Sequence, residues 1–172
     1  MIDDDELGKL VKDFLNRQVS CSPCCVDIPK AASLEGAIEI AARSRDVREK
    51  KHSHQRRIPD SVLDELRRSL LQDISSVNGA KRFEDLHPWI SGHCATVKGA
   101  GELLAYDVAF RLGLYLGFEP NLVYLHAGTR VGARKLGVRG KAVPLSELPA
   151  PLQALRPWQV EDFLCLYRDR LD

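Results

Sequence analysis

The segment best able to bind an anion is a short turn that contains Gly99 and Gly101. Glycine has no Cβ, so the two glycines allow a tight turn and let the backbone come close to a phosphate. Apolar residues at helical spacing follow from Glu102, and the amides at the start of a helix favour an anion. Lys98 adds a cation beside the turn. We therefore expect Lys98, Gly99 and Gly101 to contact phosphate, although a turn whose glycines serve only packing would use the same residues.

A one-sided run of positive charge follows this turn. Residues 120–146 contain no Asp or Glu and five basic residues, which gives the run a net charge of +5. Such a run beside a phosphate-binding turn is typical of a protein that binds a nucleic-acid backbone. Within it, Arg130, Arg134 and Lys135 are the predicted contacts. The alternative is a basic loop that is only solvated.

The turn itself resembles the helix-hairpin-helix motif, in which a hydrophobic residue precedes Gly-hydrophobic-Gly and an alanine follows four residues later. Val97, Gly99-Ala100-Gly101 and Ala105 occupy those positions. The small side chain of Ala105 lets the two helices of such a hairpin cross closely. The resemblance implies that the chain binds the DNA backbone without reading its sequence.

Residues 89–171 are also remotely similar to the second half of the helix-hairpin-helix DNA glycosylases. Residues 129–136 stand in the place of the basic helix of that family, and residues 156–158 begin the closing helix. The family has a catalytic Asp just before the basic helix, where this chain has residues 126–129. Its bifunctional members have a Lys at the position of Leu103. The similarity therefore predicts a shared binding scaffold without base excision, and a scaffold alone does not fix an activity.

A second basic segment, residues 43–57, contains five Arg, two Lys, one Asp and one Glu, a net charge of +5. Its end carries two imidazoles and two guanidiniums. These groups could form a secondary phosphate contact, or the histidines could act as acid and base. A solvated connection between two helices is the third interpretation. The residues concerned are His52, His54, Arg56 and Arg57.

Three cysteines, Cys21, Cys24 and Cys25, supply half of a zinc-binding spacing, but a second Cys-x-x-Cys is missing. We therefore expect ordinary small thiols and no metal or other cofactor. His126 and Thr129 leave two possibilities open. Thr129 could cap a short helix, or this turn and the hairpin helix could enclose a small pocket.

The hydrophobic periodicity predicts a mostly α, compact multi-helix domain that includes the hairpin. We expect about seven helices in a single domain, residues 1–172. Residues 1–80 would supply the N-terminal helices and residues 81–172 the hairpin region and closing helix. Ser33 is the predicted N-cap of the second helix.

The chain has 172 residues with 25 Lys and Arg against 24 Asp and Glu, a net charge of +1. This balance excludes a globally basic nucleic-acid coat protein, so any binding surface must come from uneven charge placement. No apolar run approaches the roughly 18 residues that a membrane span needs. The acidic start lacks a signal-peptide pattern. We therefore expect a cytoplasmic protein without membrane contact.

The sequence thus predicts sequence-independent binding to the DNA backbone, with a protein partner as a further expectation. The alternative is an enzyme that processes nucleic acid, with its site near His52 and His54 or near His126. No catalytic residue can be assigned from the sequence.

Overall fold

The computed structural model describes residues 2–18, 31–46 and 48–172, and it is mostly helical, which confirms the predicted fold class. Its α-helices are α1 (Asp4–Gln18), α2 (Leu34–Arg43), α3 (Asp60–Gln72), α4 (Phe83–Thr96), α5 (Glu102–Leu116), α6 (Ala127–Lys135) and α7 (Pro157–Leu166). Two short strands, β1 (Val123–Tyr124) and β2 (Ala142–Val143), pair in antiparallel orientation.

These elements form two compact units. The terminal unit comprises Met1–Ser22 and Pro120–Asp172, and the central unit comprises Pro23–Glu119. This grouping differs from the sequence-based division at residue 80, because α1 packs against the 3-10 turn Ala150–Ala154 in the C-terminal part of the chain.

In the central unit, α4 packs along α5, and α2 packs against both α3 and α5. The apolar faces of these helices meet in a core of aliphatic and aromatic side chains. Ser33 caps α2 as predicted, because its Oγ accepts a hydrogen bond from the Gly36 amide at 3.2 Å. The fully buried side chains of this core include Ile38, Leu66, Leu70, Phe83, Leu86, Ile90, Leu104 and Leu112.

The terminal unit is built around three aromatic rings. Phe14 of α1 meets the edge of Phe163 on α7 at 5.6 Å between centroids, and Phe163 stacks on Tyr167 at 4.8 Å. The Tyr167 hydroxyl donates a 2.7 Å hydrogen bond to Asp13. Aromatic packing and this bond therefore fix α1 on α7.

Short 3-10 turns follow two of the helices. α3 ends at Gln72, and the 3-10 turn Ile74–Gly79 comes after it. The helix α4 spans fourteen residues and contains Pro88 at its sixth position, where the missing N–H removes one intrahelical hydrogen bond. The last helix ends at Leu166, before the 3-10 turn Arg168–Arg170.

Each strand of the antiparallel pair, Val123–Tyr124 and Ala142–Val143, has only two residues. Two residues are too few to show an alternating pattern. Among the described residues, no helix combines the length and apolar character needed to cross a membrane.

Candidate nucleic-acid interface

Three arginines of the terminal unit line one open cleft with a volume of about 410 Å³. The lining residues are Arg130, Arg134, Arg139 and Gly140. Arg130 and Arg134 lie four residues apart on α6, so they share one face of the helix. Each guanidinium carries a permanent charge and a planar fork of donors, which matches the oxygens of a phosphate.

The opposite face of α6 packs very closely on α7. A Cβ built on Gly132 would lie 2.3 Å from the carbonyl oxygen of Leu164, so only glycine fits at this crossing. Thr129 and Ala133 on the same face are fully buried. The arginine face of α6 is therefore held outward by tight packing of its small-residue face.

A buried polar contact also fixes the start of α6. The Thr129 hydroxyl donates a 2.7 Å hydrogen bond to Glu161 Oε1, and Nε2 of His126 lies 3.6 Å from the same oxygen. The predicted cap at Thr129 is wrong: α6 begins at Ala127, His126 is the N-cap residue, and Thr129 lies within the first turn. Its hydroxyl serves the contact between α6 and α7 instead.

A turn after α6 precedes Arg139, the third arginine of the cleft. Gly137 has a φ of +76°, a left-handed conformation that ends the helix. The amides of Gly137 and Val138 then donate to the carbonyls of Arg134 and Ala133, at 3.0 and 2.9 Å. Arg139 directly follows this turn and lines the cleft.

Of the predicted contacts in this segment, Lys135 has a different environment. Its ammonium forms a 2.7 Å ion pair with Asp172. It does not belong to the lining of the cleft, whereas Arg139, which the sequence analysis did not select, does. Arg130 is partly ordered by a 3.1 Å hydrogen bond from its Nε to the carbonyl of Leu125.

The glycine turn lies in the central unit, where it joins α4 to α5. Gly99 has a φ of +98°, and a Cβ there would meet the Val62 side chain at 3.3 Å. Gly101 is the N-cap residue of α5, and nothing lies within 4 Å of a Cβ built on it. Gly99 is thus required by the turn itself, whereas Gly101 leaves the N-terminus of α5 open to an incoming group.

Two charged side chains flank this turn. Lys98 is exposed, and Glu102 is an exposed carboxylate in the first turn of α5. The helix dipole and Lys98 favour an anion at this N-terminus, and Glu102 opposes it. Ala105, further along α5, is buried.

The segment that carries His52 and His54 is not only a solvated connection between two helices, because Gln55 within it is buried in the central unit. Gln55 is fully buried, and its Oε1 accepts a 3.0 Å hydrogen bond from Arg111. Its Nε2 donates to Asp107. Gln55 therefore bridges Asp107 and Arg111 of α5. Arg111 also donates to Ser44 Oγ at 2.9 Å and to the Ala41 carbonyl at 3.3 Å.

His54 stands at the outer end of this chain of hydrogen bonds. Its Nδ1 lies 3.6 Å from Asp107 Oδ2, and its side chain is 36% exposed while that of Asp107 is 15% exposed. Hydrogen bonds from His54 and Gln55 and the charge of Arg111 outweigh burial and lower the pKa of Asp107. The carboxylate is therefore ionised at neutral pH.

His52 is in a different state from its neighbour. Burial, followed by the charge of Arg111, lowers the pKa of His52 to about 4, although Asp107 and Asp46 act in the opposite direction. The ring is thus neutral at pH 7. Arg56 and Arg57, which follow the histidines, are both exposed.

A second histidine contact joins α3 to α4 elsewhere in the central unit. Nδ1 of His93 lies 2.7 Å from Ser69 Oγ, and its Nε2 lies 3.1 Å from Asp73 Oδ2. Trp89 donates to the same carboxylate oxygen at 2.8 Å. Hydrogen bonds from Ser76, Trp89 and His93 lower the pKa of Asp73. This contact ties the end of α3 to α4.

The cysteines give no site in the described part of the chain. Cys21, Cys24 and Cys25 lie outside the described residues, so the expectation of ordinary thiols without a metal stays a prediction. Burial raises the pKa of the Cys94 thiol to about 12, which makes it an unreactive core residue at neutral pH. Among the described residues, no group of three or more His, Cys, Asp or Glu could hold a metal ion.

Comparisons with protein-family models, with curated proteins and with solved structures find no match to this chain.

Proposed function

We propose that the chain binds the phosphate backbone of nucleic acid without sequence preference, with DNA as the partner that the resemblance implies. The observation that carries this proposal is the cleft lined by Arg130, Arg134 and Arg139. Their guanidiniums can each donate two hydrogen bonds to phosphate oxygens. Contacts of this type position a protein on a duplex and carry no sequence information.

The energetics of α6 support a ligand of negative charge. Like charges four residues apart destabilise a helix by about 0.2–0.5 kcal/mol, and Arg130 and Arg134 have this spacing. Arg139 adds a third positive charge to the same cleft. No Asp or Glu occurs in residues 120–146 to offset them. A bound phosphate would remove this repulsion, which makes the cluster more favourable with its ligand than without it.

The central unit offers a second, smaller set of phosphate contacts. It comprises the open N-terminus of α5 at Gly101 with Lys98 beside it, and the exposed Arg56 and Arg57 after the histidines. Each unit therefore carries its own basic groups. A chain with a net charge of only +1 can still bind a polyanion through such local concentrations of charge.

The proposal is tested by fluorescence anisotropy with labelled duplexes of several unrelated sequences. Arg134→Gln and Arg139→Gln should weaken binding to every sequence alike, since each removes a guanidinium from the cleft. The matched control is Arg17→Gln, which removes an exposed arginine of the same unit that pairs with Asp13 on α1. It should bind as the unmodified chain does. Equal weakening by all three substitutions would contradict a role for the cleft.

A further inference from the structure

The central unit contains an imidazole that is held in place by a buried chain of polar groups. Arg111 orients the carboxamide of Gln55, Gln55 donates to Asp107, and Asp107 lies against Nδ1 of His54. Burying a guanidinium, an amide and a carboxylate is costly unless each is hydrogen-bonded, and here each is. The chain begins inside the unit and ends on a ring that reaches solvent.

This arrangement suits proton transfer at the ring. A carboxylate against Nδ1 fixes the proton on that nitrogen and leaves Nε2 as the basic atom on the opposite edge of the ring. An exposure of 36% lets a substrate approach the ring of His54. His52 is less suited to this role, because it is half-buried and close to Arg111.

The surroundings indicate an anionic substrate. The exposed Arg56 and Arg57 directly follow the histidine segment. Asp107 lies on α5, five residues beyond its first residue Glu102, which is about 7.5 Å along the helix axis. The residue that contacts His54 and the open start of α5 therefore lie on one helix, less than two turns apart.

We propose that His54 is the proton acceptor of a phosphodiester-cleaving site that acts on a ribonucleotide, with Asp107 as its positioning residue. The inference rests on the proposed backbone binding. Proton transfer by a single imidazole is sufficient when the nucleophile is already held beside the phosphorus, as the ribose 2′-hydroxyl is.

In this step, Nε2 of His54 accepts the proton of the 2′-hydroxyl while the 2′ oxygen bonds to phosphorus and the bond from phosphorus to the 5′ oxygen breaks. The leaving 5′ oxygen takes a proton from a solvent water, and His54 returns its proton to the resulting hydroxide. The products are a 2′,3′-cyclic phosphate and a 5′-hydroxyl end. Arg56 and Arg57 stabilise the negative charge on the phosphate oxygens.

The test uses a labelled DNA strand that contains one ribonucleotide, and the same strand without it. We expect the full chain to cut only the first strand, at the ribonucleotide, and to leave a cyclic phosphate that mass spectrometry identifies. His54→Gln should lower the rate by about a hundredfold to ten-thousandfold, the usual contribution of general acid–base catalysis. The matched control is His93→Gln, which removes a histidine that also contacts a carboxylate. It should cut at the normal rate per folded molecule.

The test of Asp107 must separate its positioning of His54 from a structural role, because a variant that unfolds the chain would also lose activity. Asp107→Asn should lower kcat per folded molecule while KM stays near its normal value, and Asp107→Glu should restore part of kcat. If Asp107→Asn does not fold, kcat of Asp107→Glu is compared directly with that of the unmodified chain.

Binding is measured in parallel on a strand whose ribose carries a 2′-O-methyl group and cannot be cut. If the chain binds this strand but does not cut the strand that contains the ribonucleotide, the inference is overturned and the proposed function stays intact. Absence of binding would overturn the proposed function itself. Equal cleavage of the strand without a ribonucleotide, or loss of cleavage in His52→Gln but not in His54→Gln, would overturn the assignment of nucleophile and base.

Discussion

Gln55 donates a hydrogen bond from its side-chain amide to the carboxylate of Asp107, although 52 residues separate them in the chain. The other end of the same amide accepts from Arg111, so a single fully buried side chain connects a cation to an anion. This contact anchors the end of the basic segment, residues 43–57, inside the central unit. It thereby places His54 next to a carboxylate, which the sequence alone did not indicate.

We expect the stability of the central unit to fall as the pH is lowered from about 7 to about 4. The pKa of His52 is about 4 in the folded chain and 6.5 in the unfolded chain, so the unfolded state binds more protons in this range. The stabilising contribution is present above the unfolded pKa and is lost as the pH falls toward the folded one.

The measurement is urea unfolding monitored by Trp89 fluorescence in a Trp158→Phe background, so that only the central unit is observed. His52→Asn should reduce the fall in unfolding free energy between pH 7 and about 5. Below that range the lowered pKa of Asp107 adds a further loss, since that carboxylate must be protonated. An identical pH dependence in the two chains would contradict the assignment to His52.

The elements that depend on local sequence were predicted well. The apolar stripes located the helices, and the Ser33 cap was confirmed because capping uses residues three apart. What failed depends on partners distant in the chain. The strand Ala142–Val143 exists only through its pairing with β1, and nothing local indicates it.

The candidate sites show the same limit. The charge count identified residues 120–146 as basic, but it did not indicate that Arg139, which follows the turn at Gly137, lines the cleft. Lys135 was selected by its type and place on the helix, and the structure pairs it with Asp172. The polar chain from Arg111 to His54 has no sequence signature, because its members come from two separate segments.

Binding to duplex DNA should weaken strongly as salt is added. If about four phosphates are neutralised, the logarithm of the binding constant should fall with the logarithm of salt concentration at a slope of about −3.6. Removal of one cleft arginine, as in Arg134→Gln, should make this slope shallower by about 0.9. A titration at several salt concentrations measures both values. A flat response would exclude phosphate contacts as the basis of binding.

Gly99 and Gly101 should respond differently to substitution by valine. Gly99→Val places a β-branched residue at a φ of +98° and should destabilise the central unit by about 1–3 kcal/mol. Gly101→Val meets no neighbour and should cost only about 1 kcal/mol as a poorer N-cap. It should nevertheless weaken DNA binding, because its side chain covers the start of α5. Unchanged binding per folded molecule would show that the glycines serve packing alone.

Gly132→Ala should destabilise the terminal unit by about 1–3 kcal/mol, because the new methyl group would lie 2.3 Å from the Leu164 carbonyl oxygen. Urea unfolding followed by Trp158 fluorescence in a Trp89→Phe background measures this loss. Gly8→Ala on α1 is the matched control, since nothing lies within 4 Å of a Cβ there. It should stabilise the same unit by about 0.5–1 kcal/mol. Equal effects would mean that α6 and α7 do not cross so closely.

The chain should not excise uracil, alkylated or oxidised bases from duplex DNA. Excision on this type of scaffold requires a carboxylate to stabilise the sugar cation or to activate water, or an amine to form a Schiff base. No Asp or Glu occurs in residues 120–146, and Leu103 stands where the amine would be. The carboxylate of Asp107 on α5 is engaged by Gln55 and His54. End-labelled lesion duplexes are incubated with the chain and treated with alkali. Breaks at the lesion that disappear in Asp107→Asn would make Asp107 a glycosylase residue and contradict this prediction.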